Sequence, residues 1–134
     1  MTEYLDSYKN FVDVLTSEPS KNKDAFINRI NELYADGCDV SRLLTGSVGL
    51  CAEAGELLEV VKKILFQGKP YNADNVFHMK RELGDIMFYV MNACIAIGED
   101  PVEIIDENVR KLEARYPGGK FNIHNSEVRK EGDL

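Results

Sequence analysis

Two acidic pairs stand out by type and spacing: Glu53-x-x-Glu56 and Glu82-x-x-Asp85. On a helix, residues three apart point in nearly the same direction, about 4.5 Å apart along the axis. Leu50, Leu57, Val60 and Ile64 fall on the side of Glu53, and Met79, Ile86, Tyr89 and Ala93 on the side of Glu82. Each pair therefore sets one acid inside an apolar stripe and a second acid one turn away. Carboxylates turned into a shared interior cannot all remain anionic without compensation. A hard divalent cation supplies it. Mg²⁺, with Mn²⁺ as a substitute, takes oxygen ligands and leaves positions for water and phosphate. Such an ion reverses the local field, so an acidic protein can hold a phosphorylated ligand.

Acids three apart are also common on solvated helix edges. Here the same arrangement recurs at the centre of an apolar face on two consecutive long helices, which a solvated edge does not explain. A di-iron bundle requires Glu-x-x-His on two helices. Neither His78 nor His124 has a glutamate three residues before it. Neither histidine has an evident acid–base partner in the sequence either. Lys62, Lys63 and Lys69 cluster near one helix end, and Asn108, Lys111 and Arg115 share a face at three- and four-residue spacing. Together they are candidate donors for phosphate oxygens, arginine being suited to a forked contact.

These residues need long helices to position them, and the apolar spacing predicts five helical segments. The first covers about Tyr4–Leu15 and the second about Asp24–Tyr34, separated by a break over Ser17–Lys23 that contains Pro19. The third, about Ser41–Phe66, carries Glu53 and Glu56 and stops at Gly68 with Pro70 beyond. The fourth, about Asn75–Ile97, carries Glu82 and Asp85 and stops at Gly98. The fifth has Asp100 as cap, Pro101 at its first position and Glu103 three after the cap, and it ends near Tyr116 before Pro117. Residues 122–134 read as a flexible tail. No alternation suggests a sheet, so the expected fold is an all-α bundle in a single domain over 1–134. The fourth helix has a second apolar stripe, Phe77, Phe88, Met91 and Ile95, with Gly84. An α-helix apolar on two sides is either central in its own bundle or shared with another chain, and five segments do not easily surround it. A homodimer or homotetramer is expected.

At 134 residues and 15.1 kDa, one domain is the expectation, able to bury about two-thirds of its unfolded surface. A net charge of −7 disfavours a general nucleic-acid binder, which usually presents a basic face. Cys38, Cys51 and Cys94 form no CxxC pair, and Cys51 and Cys94 read as core residues. No basic-then-apolar leader follows Met1, and no run of eighteen apolar residues occurs. No membrane or nucleic-acid partner and a cytoplasmic location are therefore expected.

Glu53-Ala54-Gly55-Glu56-Leu57, Glu82-Leu83-Gly84-Asp85-Ile86 and Asn108-Val109-Arg110-Lys111-Leu112, followed by Arg115-Tyr116-Pro117, resemble the MazG-like nucleoside triphosphate pyrophosphohydrolases. The resemblance covers about Leu43–Phe121. It implies the all-α NTP pyrophosphatase fold and hydrolysis of a nucleoside triphosphate at the α–β bond, giving monophosphate and pyrophosphate. It also implies Mg²⁺ on Glu53, Glu56, Glu82 and Asp85 as catalytic ligands. Asn108 and Lys111 match substrate positions; Lys69 and Arg115 are further candidates for phosphate contact. The alternative is a helical protein that binds a nucleotide or metal without turnover.

Overall fold

A computed structural model describes residues 2–129 and Gly132. The described residues are all-α: α1 (Thr2–Leu15), α2 (Glu18–Lys21), α3 (Lys23–Ala35), α4 (Val40–Phe66), α5 (Ala73–Ile97), α6 (Pro101–Arg115) and α7 (Ile123–Glu127). The five expected helices appear with ends within about two residues, and two short ones are added. The Ser17–Lys23 break holds α2, a single turn with Pro19 near its start, where a missing N–H is harmless. The tail carries α7, and residues 130, 131, 133 and 134 of the expected flexible segment lie outside the described residues.

Side-chain caps fix the helix starts. Asn22 accepts from the Ala25 N–H at 3.0 Å, Asp39 from Arg42 at 3.1 Å, Asn72 from Asn75 at 3.0 Å and Asp100 from Val102 at 2.8 Å. Each bond satisfies an amide that a helix start leaves orphaned. Gly98 ends α5 in the left-handed region at φ +73°. The Glu99 N–H then reaches back to the Cys94 carbonyl, a closure that favours glycine.

The principal packed unit is the antiparallel hairpin of α4 and α5. The helix α3 rests on α4 and α2 on α3, while α1, α6 and α7 make at most marginal contact with other elements. Small residues let the hairpin close tightly. A Cβ placed on Gly46 would lie 3.0 Å from the Ala93 nitrogen, and one on Gly49 would lie 2.2 Å from ring atoms of Tyr89. The turn between the helices is held by buried Asn75, whose Nδ2 donates to the Pro70 carbonyl at 2.6 Å.

The core of one chain is thin. Among the described residues, Val60 and Cys94 are the buried apolar side chains, and Cys51 is exposed, contrary to its reading as a core residue. The accessible surface is 10780 Å². A compact monomer of 15.1 kDa would expose about 7,100 Å², so this chain buries about half of its unfolded surface rather than two-thirds. The deficit follows from α1 and α6 standing away from the hairpin. Their apolar stripes, including Tyr8, Phe11, Val102 and Ile105, are exposed. So is the second stripe of α5, with Phe77, Phe88 and Ile95 each about 60% accessible.

Candidate metal centre

The register of the hairpin determines which acids meet. Gly49 lies against Tyr89. One turn further along α4 is Glu53, and one turn back along α5 is Asp85, with Glu82 another turn back. Three carboxylates thereby converge. Glu53, Glu82 and Asp85 each offer an oxygen, and these oxygens all lie within 4.8 Å of one another. Glu82 is buried, Glu53 half-buried and Asp85 exposed, so the cluster opens from the α4–α5 seam towards solvent. Val60, two turns beyond Glu53 on α4, is also buried.

The cluster perturbs Glu53. Glu53 is held above its ordinary pKa, first by desolvation, then by the charges of Glu56, Asp85 and Glu82, and also by a side-chain hydrogen bond with Glu82. Two carboxyls share a hydrogen bond only when one carries the proton. An all-oxygen donor set at this spacing, partly sunk and partly open, suits a hard divalent ion that keeps part of its hydration. The residues present fit such an ion.

Glu56 acts on Glu53 through its charge but is exposed and outside the close trio. The remaining expected site residues are not gathered here. Lys69 lies in the turn after α4, half-buried, its amide bonded to the Lys63 carbonyl at 3.1 Å. Lys62 and Lys63 bind Glu59 and pull its pKa down, so they serve a local ion pair. Asn108, Lys111 and Arg115 are on α6, which has no extended contact with the hairpin.

His78 is the site residue that sequence reasoning passed over. Its Nε2 is 2.9 Å from Oε1 of Glu82, one helical turn away. The signal was present as an i, i+4 pair. The expectation that neither histidine has an acid–base partner is thus overturned for His78, whose glutamate follows it rather than preceding it as in a di-iron ligand set.

The family model of the MazG nucleotide pyrophosphohydrolase domain matches residues 44–119, more than half of the chain. The chain belongs to the MazG family. The match spans α4, α5 and α6, and so contains all three members of the acidic cluster as well as Asn108, Lys111 and Arg115. No curated protein and no solved structure matches the chain. Family membership together with the acidic cluster is consistent with a metal-dependent hydrolase. No helix among the described residues is long and apolar enough to cross a membrane.

Proposed function

We propose that this MazG-family protein hydrolyses nucleoside triphosphates at the α–β bond, releasing nucleoside monophosphate and pyrophosphate. The convergence of Glu53, Glu82 and Asp85 on the α4–α5 seam carries this reading. These three would hold Mg²⁺, or Mn²⁺ in its place, with Glu56 beside them. When bound, the ion neutralises phosphate oxygens and stabilises the charge that develops as pyrophosphate leaves. Glu56, exposed and outside the trio, is the acid free to orient the attacking water and accept its proton. Water adds to the α-phosphorus in line with the leaving pyrophosphate, so one P–O bond forms as another breaks. Lys69, Asn108, Lys111 and Arg115 supply positive or hydrogen-bonding contacts to phosphate.

The chain works as a homodimer or homotetramer in this reading. The surplus of about 3,700 Å² over a compact monomer greatly exceeds the roughly 800 Å² per partner of a standard interface. The exposed α5 stripe of Phe77, Phe88 and Ile95 is the expected seam. Assembly also provides α6 with something to pack against and a route for its polar face to approach the acids. A nucleotide substrate and unpaired cysteines suit the cytoplasm.

The test is a Mg²⁺-dependent screen of canonical and modified nucleoside triphosphates, dUTP included, with products identified. Monophosphate plus pyrophosphate supports the proposal. Diphosphate plus phosphate, or binding without turnover, refutes it. Sedimentation showing only a 15.1 kDa particle at high micromolar concentration would refute the assembly.

A further inference from the structure

We propose that His78 is a positioning residue for the metal centre: it donates from Nε2 to Oε1 of Glu82 and holds that carboxylate turned into the cluster. The inference rests on the metal reading of Glu53, Glu82 and Asp85 given above.

Glu82 is the deepest of the four acids, its side chain 8% exposed. A carboxylate at that depth needs partners for both oxygens, because water is not there to supply them. One oxygen can serve an ion; the other needs a donor. On α5 the position four residues earlier lies on the same face, and it holds His78, with Nε2 2.9 Å from Oε1. A carboxylate oxygen only accepts, so the contact places the proton on Nε2. The basic side chains nearest on the facing helix, Lys62 and Lys63, are occupied by Glu59. His78 itself is about half exposed, so the ring is not needed to fill the core. Its role is the direction in which it aims Glu82. Partners that orient ligating groups in this way typically govern metal affinity by about 10–100-fold.

The role depends on a donor at the reach of Nε2, which glutamine retains and leucine lacks. The experiment titrates Mn²⁺ into the full-length wild-type, His78→Leu and His78→Gln proteins at one pH, reading free Mn²⁺ by electron paramagnetic resonance. Metal-free melting is measured alongside. The expected result is a 10–100-fold weaker Mn²⁺ site in His78→Leu and recovery of most of that loss in His78→Gln, both variants being folded at the titration temperature. Wild-type affinity in His78→Leu overturns the role of His78 while leaving the metal site intact. Equal weakening in both variants also overturns it, since the ring rather than its donor would then be what matters. If His78→Leu melts early, the comparison of His78→Gln with His78→Ala decides on the same criterion. Absence of Mn²⁺ binding by the wild-type protein overturns the metal reading itself, and this inference with it.

Discussion

Replacing Gly49 by alanine tests whether the close approach of α4 and α5 sets the metal centre. In a helix interior, glycine to alanine ordinarily stabilises by about 1 kcal/mol. At Gly55, where an added Cβ meets nothing within 4 Å, that gain should appear in full. At Gly49 the same methyl would lie 2.2, 2.2 and 2.5 Å from three ring atoms of Tyr89. Atoms so near the root of the side chain cannot swing aside as a flexible tip does. Overpacking of this kind costs about 1–3 kcal/mol, and three ring contacts place it towards the upper end. The net effect expected for Gly49→Ala is destabilisation by about 2 kcal/mol, leaving it about 3 kcal/mol below Gly55→Ala. For a chain of this size each kcal/mol moves the melting temperature by roughly 3–5 °C. Both variants should be melted metal-free at one protein concentration, because assembly itself adds stability. Gly49 is one turn from Glu53, and Tyr89 one turn from Asp85, so a seam forced apart also separates the ligands. Mg²⁺ tolerates little departure from octahedral geometry, and Mn²⁺ or Mg²⁺ affinity should fall at least tenfold, about 1.4 kcal/mol. Removing the ring by Tyr89→Ala should abolish the extra penalty of Gly49→Ala in a double-mutant cycle. A Gly49→Ala protein that melts with Gly55→Ala and binds metal like the wild type would refute the reasoning.

Glu82→Gln should remove metal-induced stabilisation: the wild-type chain gains about 2.7 kcal/mol at a hundredfold excess of Mg²⁺ over its Kd, and the variant gains almost none in the same thermal-shift assay. The raised pKa of Glu53 means that the folded, metal-free protein holds this proton more tightly than the unfolded chain. The stability it confers is therefore fully present below the ordinary carboxylate pKa and is lost as pH rises through the raised folded value. Metal must displace that proton, so affinity should fall as pH drops through the same window, with proton release visible by calorimetry in two buffers; pH-independent affinity would contradict the assignment. Asn75→Ala leaves the Pro70 carbonyl without its donor in the α4–α5 turn and should cost about 1–3 kcal/mol in urea unfolding, a loss that a change near zero would rule out.

The helices were legible because their signals are local. Asp100-Pro101 opens α6 and Gly98 closes α5 through caps and backbone conformations that need no tertiary partner. The acidic pairs were legible because 100° per residue places Glu53 and Glu82 among apolar neighbours whichever helix they face. What spacing alone could not show is which second acid joins the centre. Asp85 and Glu56 occupy equivalent positions three residues on, yet only Asp85 enters the trio. The deciding quantity is the stagger of two antiparallel helices, fixed by Gly49 fitting against Tyr89 and Gly46 against Ala93. Cys51 shows the same limit: a cysteine in an apolar stretch of helix reads as core, but its exposure depends on which other helices pack over that face.

The fold and the centre are linked by where the packing energy is spent. Within one chain, tight contact is concentrated on the α4–α5 seam, and the acids occupy that seam rather than a loop. An acidic cluster opposes helix association, because like charges within 4.8 Å repel and their burial strips water from them. The glycines that allow close approach and the capped turn at Asn75 hold the two helices together against that repulsion. The remaining apolar area, on α1, α6 and the far side of α5, is left exposed. The spacing of the three carboxylates is thus set inside a single hairpin, which an octahedral ion, intolerant of an ångström's misplacement, would require. In the proposed assembly, enclosure of the substrate would fall to surfaces that a second chain buries. Such a division would account for an acidic trio formed within one hairpin while Asn108, Lys111 and Arg115, on the scarcely packed α6, are not gathered beside it.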